Sequence, residues 1–476
     1  MNKAYHRELQ QSFHTYYEAL VCQLNQPMVA QFNKLDSILK NNSHTTFGKE
    51  YGFSDIKTID QFQSQVPLTT YDDISEAIEK QATRGTAELT SSPYLYMLQT
   101  SGSTSARKKI PYTKELLEDF RLGICPWLYD LYVNFPHISS GEWYWSLSPP
   151  ERDVSEKIGL IPIGTDNDLA YFTQNQQALL AKILISSSVH HGMDIDSFFL
   201  QTAKALQDRE ISFVSIWSPT FLERIASKSS LSNALEGSLI SSWGDAQSKV
   251  YFERLQKKYS NSFFQKKGIL STEGCYAIPL SQCEGYVPAI TSHFFEFINE
   301  QGRVHTIGNL DNNSIFELVI TTSGGLYRYK TGDLIRTVNT HHQTPTYQFI
   351  GRNKTSDLVG EKLCEQDAIR IQVELGRDFF GIAPSSQDQR YTIFHTSTLD
   401  DETKKRIAHV LSKNPYLQEA LDRGQLKPFL WKRVDFNNAE AIQINHYRRN
   451  NVLVGDVKPP LLLSESLGVE LYSSLK

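Results

Sequence analysis

Cysteine is scarce in this chain. Its five residues, Cys22, Cys125, Cys275, Cys283 and Cys364, include no C-x-x-C pair, and an odd number argues against a disulfide framework. Histidine pairs occur only as the neighbours His190-His191 and His341-His342, not at the i, i+4 spacing of metal ligands, so a metal site built of protein ligands alone is not expected. Long hydrophobic runs are missing too: nothing approaches 18 consecutive apolar residues, and the polar start Met1-Asn2-Lys3-Ala4 carries no signal-peptide core. No membrane partner is therefore expected, and the expected location is cytoplasmic. Charge of one sign is lacking as well, with 48 basic against 53 acidic residues and a net charge of −5, so no field recommends nucleic acid. Absent also are a G-x-S-x-G elbow, a G-x-G-x-x-G turn and a G-x-x-x-x-G-K-[ST] loop, which removes the commonest hydrolase, dinucleotide and P-loop readings.

What is present is an ordinary globular composition, 40% hydrophobic and 21% charged over 476 residues, a length that suggests two or three domains. Phe13, Tyr16, Tyr17, Leu20 and Leu24 recur at helical spacing and predict an amphipathic N-terminal helix. Thr113 can cap a helix bearing Leu116, Phe120, Ile124 and Leu128 along one face. Helical stretches near 174–186, 194–208 and 245–259 alternate with β-rich runs at 213–217 and 268–270, an α/β texture. From about 286 the pattern becomes strands and turns, and past Gly351-Arg352-Asn353-Lys354 a shorter alternation begins. The expected architecture is a large multi-layer α/β domain over 1–352 with a β-rich layer, then a small α+β domain over 353–476.

Four clusters carry candidate chemistry. Gln99-Thr100-Ser101-Gly102-Ser103-Thr104-Ser105-Ala106-Arg107-Lys108-Lys109 is a hydroxyl-dense loop after the apolar run Tyr94–Leu98, suited to wrapping polyphosphate: hydroxyls and amides donate while lysine neutralises charge. Strand, loop, helix is the order expected there. Leu270-Ser271-Thr272-Glu273-Gly274 sets a carboxylate after a short strand, where Glu273 alone would suffice for Mg²⁺ shared with substrate phosphates. In Tyr327-Arg328-Tyr329-Lys330-Thr331-Gly332-Asp333, Asp333 at a strand end can accept both hydrogen bonds of a ribose diol. Arg352, at the expected domain boundary, is a planar donor suited to ribose or phosphate. Trp127, Tyr144, Trp145 and Trp217 are candidates for an aryl pocket, with core packing the commoner role for such residues.

In this order and spacing the four motifs resemble the acyl-adenylate-forming superfamily. The flanks Thr46-Phe47-Gly48, Val66-Pro67-Leu68, Ile110-Pro111-Tyr112-Thr113, Ser242-Trp243-Gly244-Asp245, Lys267-Gly268 and Ser292-His293-Phe294-Phe295-Glu296-Phe297 are similar to bacterial members of the auxin-inducible acyl acid amido synthetase family. The resemblance covers most of residues 45 to 362. It implies an acyl-CoA-synthetase-like fold and an ATP-dependent ligase that converts a carboxylic acid to acyl-AMP, then transfers the acyl group to an amine, commonly of an amino acid, to form an amide. An acyl-CoA or carrier-protein ligase sharing the first step, or a weakened acyl- or nucleotide-binding protein, stays open.

The roles implied are Lys108 with Ser101, Gly102, Ser103 and Thr104 on the β- and γ-phosphates, Thr272 on the α-phosphate, Glu273 on Mg²⁺, and Asp333 and Arg352 on the ribose. A late catalytic lysine of a mobile small domain is Lys458 in Gly455-Asp456-Val457-Lys458 or Lys427 in Gln425-Leu426-Lys427. One departure stands out: Ser105 occupies a place where the superfamily loop has glycine. A non-glycine residue in left-handed conformation costs about 1–2 kcal/mol, which points to another path for the loop.

Overall fold

A computed structural model describes residues 2–100, 108–145, 156–164, 168–185, 194–449 and 460–475. Four candidates of the phosphate loop, Ser101, Gly102, Ser103 and Thr104, lie outside the described residues, as do Ser105 and Lys458. The described chain forms two compact units, the larger from residues 2–100, 108–243 and 255–349, the smaller from 244–254 and 350–475.

In the larger unit the N-terminal helix Asn2–Leu24 buries Leu9, Phe13, Leu20 and Leu24 against the helix Lys114–Asn134. The second helix begins where expected: the Thr113 hydroxyl accepts the Leu116 amide at 3.2 Å, satisfying one of the donors that a helix start leaves open. Four parallel strands, in the order Glu142–Trp145, Ile211–Ser215, Leu239–Ser242 and Phe263–Lys266, make an α/β layer. Ile211–Ser215 and Leu239–Ser242 are buried throughout, as the middle strands of a covered parallel sheet must be.

The β-rich layer is a five-stranded sheet in the order Val304–Thr306, Phe294–Asn299, Ile315–Thr321, Tyr329–His341, Thr344–Arg352. The segment around Asp333 was expected to end a strand. It lies inside the 13-residue strand Tyr329–His341, at an irregularity where Lys330 pairs with Val319 and Leu334 with Glu317. Three residues, Thr331, Gly332 and Asp333, thus stand opposite Leu318. Gly332 has φ +75°, a left-handed conformation that breaks the apolar alternation by which such a strand would be recognised in the sequence.

The phosphate loop also departs from expectation. Tyr96–Gln99 does not run through a loop into a helix; it pairs antiparallel with Lys109–Tyr112, so the motif is a hairpin and the helix follows its second strand. Ile110 and Tyr112 are fully buried, and pairing with the first strand is what satisfies the backbone of such an apolar triplet.

The smaller unit has a three-stranded sheet, Phe379–Ser385, Arg390–His395 and Leu430–Arg433, with helices Glu365–Leu375, Asp401–Leu411, Pro415–Asp422, Phe436–Arg449 and Glu465–Ser473. Ile371, Ile382, Ile393 and Leu417 are fully buried in its core.

Candidate active site

Lys108 closes the described end of the hairpin, its carbonyl accepting the Thr100 amide at 3.0 Å. Its ammonium donates to the Tyr329 hydroxyl at 2.8 Å and sits 5.3 Å from the centre of that ring. The contact joins two motifs 221 residues apart, because Tyr329 is fully buried and lies four positions before Asp333. The neighbouring Lys109 instead uses its amide, which donates to Tyr71 Oη at 2.9 Å.

Asp333 is 5% exposed. Its amide donates to the Thr331 hydroxyl at 3.0 Å, and that hydroxyl donates to the Leu318 carbonyl at 2.8 Å, so the bulge is held by its own side chains. The approach to it is clamped harder. Arg328, at φ +46°, donates through Nε to both oxygens of Glu296 at 3.1 Å and through Nη1 to the Gln63 and Val66 carbonyls at 2.6 and 2.7 Å. Burial pushes the Glu296 carboxyl up, and the Arg328 charge opposes it. Thr69 pairs alongside: its amide donates to the Arg328 carbonyl and its carbonyl accepts from the Lys330 amide, both at 2.9 Å.

Thr272 and Glu273 form the tip of a tight turn between Ile269–Leu270 and Cys275–Ile278. The Thr272 carbonyl accepts from Tyr112 Oη at 2.7 Å, tying the tip to the strand that follows the phosphate loop. The Glu273 amide donates to Ser271 Oγ at 3.0 Å, and Ser271 Oγ is 2.6 Å from Tyr276 Oη. The Tyr276 phenol is pushed well up, first by burial, then by the charges of Glu273 and Asp333. The larger unit thus ties Lys108 to the strand that bears Asp333 through Tyr329, and the Thr272–Glu273 turn to the strand after the phosphate loop through Tyr112.

Among the described residues no group of three or more His, Cys, Asp or Glu can hold a metal ion. Hard carboxylate and hydroxyl oxygens at the turn nevertheless fit a cation that arrives with its other ligands on phosphate, since Mg²⁺ is commonly held by one or two carboxylates in that way.

In the smaller unit Arg352 is exposed, and its amide donates to Glu365 Oε2 at 2.9 Å. Two residues on, Lys354 Nζ donates to the Leu462 carbonyl at 2.9 Å; burial pulls its pKa down. Lys427 is exposed in the irregular segment before the strand Leu430–Arg433, its amide donating to the Gln389 carbonyl at 2.9 Å.

Of the aromatic candidates, Trp127 and Tyr144 are buried in the packing, at 2% and 4% exposure. Trp145 and Trp217 are half-buried at the carboxyl ends of parallel strands, where Trp217 meets Trp243 at a tilt, ring centres 5.8 Å apart, and Lys267 Nζ lies 4.5 Å from its ring centre. The aromatic wall that touches the Thr272 turn is a different one: Tyr96 stacks on Tyr112 at 5.0 Å, Tyr112 on Phe120 at 5.6 Å, and Phe120 meets Tyr171 at 4.8 Å. Sequence reasoning also missed the Arg328–Glu296 clamp and a buried Lys34–Asp119–His293 group. The signals for them were the Ser292–Phe297 segment, quoted for its resemblance and not for its contacts, and Arg328 inside the Asp333 motif.

Comparison with known proteins identifies the family. The GH3 family N-terminal domain matches residues 17–234 and the GH3 family central domain residues 286–352. The chain is 24% identical over 441 residues to the indole-3-acetic acid-amido synthetase GH3.2 of Arabidopsis thaliana, covering 74% of this chain and 80% of that one. A shorter match, 32% over 112 residues, links it to the jasmonoyl–L-amino acid synthetase GH3.5 of Oryza sativa subsp. japonica, over 20% of this chain and 19% of that one. Its fold is similar to that of the GH3.15 acyl acid amido synthetase, with a TM-score of 0.80 at 18% identity over 96% of this chain and 95% of that one. It is also similar to that of a 2-hydroxyisobutyryl-CoA ligase, with 0.58 at 11% identity over 94% and 92%. With two family domains over more than half its length, the chain belongs to the GH3 family of acyl-adenylate-forming enzymes.

Proposed function

We propose that this chain is an ATP-dependent acid–amine ligase: it adenylates a carboxylic acid, releasing pyrophosphate, and passes the acyl group from acyl-AMP to the amine of an amino acid. The observation that carries the reading is that, in a chain of this family, Lys108 is held on Tyr329 of the Asp333 strand and the Thr272–Glu273 turn is held on Tyr112 beside it. Bringing a carboxylate onto a polyphosphate costs several kcal/mol of repulsion at an intermediate dielectric, about 4 kcal/mol per unit charge pair at 4 Å. Lys108, oriented by Tyr329, offsets part of it on the β- and γ-phosphates, assisted by Ser101, Gly102, Ser103 and Thr104. Thr272 faces the α-phosphate, and Asp333 and Arg352 hold the ribose. Glu273 would hold Mg²⁺, which would supply charge neutralisation at the phosphates.

For the second step the amine nitrogen attacks the acyl carbon, the bond to the AMP oxygen breaks, and an ammonium proton is lost to solvent. We assign Lys458 or Lys427 to the charge that develops during adenylation, and mobility to the domain 353–476 that bears them. All five cysteines are free thiols, which supports a cytoplasmic, reducing compartment. A matrix of carboxylic acids against amino acids, simple amines and CoA, read by pyrophosphate release and product mass, tests the reading. Amine-dependent amide formation is expected. Thiol-dependent AMP release would make the chain an acyl-CoA ligase, and no carboxylate-dependent exchange over a broad acid panel would make it a binding protein.

A further inference from the structure

The turn that carries Thr272 and Glu273 has an irregular base. Cys275 pairs with Leu270 but Ala277 with Ile269, a register shift, and the Cys275 amide donates to His293 Nε2 at 3.1 Å, a side chain in place of a ladder carbonyl. An amide can only donate, so Nε2 must present its lone pair and the ring must be the neutral Nδ1–H tautomer. The His293 ring is fully buried, and Nδ1 stands 3.8 Å from Asp119 Oδ2. Asp119 is gripped by the Lys34 ammonium and by the Ser323 amide. Gln31, one helical turn before Lys34, receives the Phe295 amide on Oε1 at 2.7 Å and donates to the Ile290 and His293 carbonyls at 2.8 and 2.7 Å. Phe120 and Phe295 meet the ring edge-on at 6.3 and 6.1 Å. A Cβ on Gly274 would lie 2.6 Å from Nε2, so only glycine lets the turn approach the ring this closely.

We infer that His293 is a positioning residue for the adenylation step: its Nε2, as the acceptor for the Cys275 amide, fixes the turn that presents Thr272 and Glu273. The inference rests on the proposed role of that turn. Burial and the Lys34 charge hold the imidazole well below its ordinary pKa, in keeping with the neutral acceptor that the geometry requires. A core histidine with no task would fill space equally well; this one supplies the acceptor for the amide at the base of the turn.

The test compares His293→Leu, which fills the space without an acceptor, with His293→Gln, whose Oε1 can accept. Full-length protein without nucleotide is read by hydrogen exchange at Cys275, and pyrophosphate release is read as kcat against KM. In the unaltered protein the Cys275 amide should exchange at least about tenfold more slowly than the Thr272 amide at the tip, the minimum expected of a buried hydrogen bond in a cooperative element. His293→Leu should abolish that difference and lower kcat by about 10- to 100-fold, the usual scale for losing a supporting partner of a ligand-bearing group, with KM for the acid little changed. His293→Gln should recover most of both. Equal Cys275 and Thr272 exchange in the unaltered protein overturns the inference, whether or not the leucine variant folds. Equal impairment of the two variants overturns it as well. Glu273→Gln separates the levels: it should lower turnover while leaving Cys275 exchange intact. Full turnover in Glu273→Gln would sink the reading of the turn and leave the His293 hydrogen bond standing.

Discussion

Replacing Arg328 by methionine tests whether the strand that bears Asp333 is held by charge or by shape. The guanidinium is 5% exposed and Glu296 1%, so removal strands a carboxylate in the interior. The cost has a ceiling, because Glu296 can take a proton. From an ordinary glutamate value of about 4.3 to pH 7 is roughly 2.7 pKa units, or about 3.7 kcal/mol at 1.36 kcal/mol per unit. The Gln63 and Val66 carbonyls also lose their donor, adding about 1–3 kcal/mol for each left unsatisfied. At pH 7 the variant should therefore lose on the order of 4–6 kcal/mol. At pH 5 the protonation ceiling falls to about 1 kcal/mol, so the deficit relative to the unaltered protein should shrink by about 2.5–3 kcal/mol while the carbonyl part persists. Guanidinium titration followed by tryptophan fluorescence suits the measurement, since Trp127, Trp143, Trp145, Trp217 and Trp243 lie in the larger unit and only Trp431 in the smaller. Adding Glu296→Gln to Arg328→Met should recover much of the pH 7 loss. A deficit under about 1 kcal/mol, or one of the same size at pH 5 and pH 7, would refute the argument that an uncompensated buried carboxylate sets the cost.

Three further outcomes are expected. Lys108→Ala should lower carboxylate-dependent pyrophosphate release by about 10²-fold or more, the scale of one electrostatic stabiliser, and a folded variant with unchanged turnover rejects the assignment. Asp333→Ala should chiefly weaken ATP binding in calorimetry, whereas full affinity would make Asp333 a structural residue of the bulge. Acid should destabilise the larger unit through His6, whose pKa is lowered by burial and whose ring nitrogens meet Tyr132 Oη at 2.9 Å and the Gly141 carbonyl at 3.1 Å. The unfolded chain takes up that proton near pH 6.5 and the folded chain only at lower pH, so stability falls as pH drops below about 6.5. His6→Gln, which cannot titrate, should show a shallower fall in denaturation midpoint between pH 7.5 and 5.5, and an identical slope would clear His6 of the effect.

Local signals in the sequence translated well wherever one element sufficed to decide them. Thr113 reads as a cap because its residue type and the following periodicity act within one helical turn, and it caps the helix. The Gln99–Lys109 loop was recognisable as a loop, but not as a hairpin, because Lys109–Tyr112 has only four residues and contains Pro111. Strand Tyr329–His341 was hidden by Gly332 and by alternation with polar residues, and what keeps it extended is pairing with Ile315–Thr321. Asp333 and Glu273 were each identifiable as carboxylates beside glycine, yet the tyrosines that anchor their segments, Tyr329 and Tyr112, meet partners 221 and 160 residues away that no local pattern connects.

The segment Ser292–Phe297 shows how such long-range order is encoded. His293 stands immediately before the strand Phe294–Asn299 and Glu296 lies within it, and the two serve different partners. His293 accepts from the base of the Glu273 turn; Glu296 holds Arg328 and, through it, the strand that leads to Asp333. A single segment thereby fixes two candidate ligand-bearing segments, and it is itself fixed by Gln31 through the Phe295 amide and the His293 carbonyl. Its polar residues bear no ligand in the proposed mechanism. Their place in an otherwise apolar S-H-F-F-E-F run follows from the geometry of support: each buried polar group costs free energy unless it is paired, and here the partners are the backbone and the arginine that position the site.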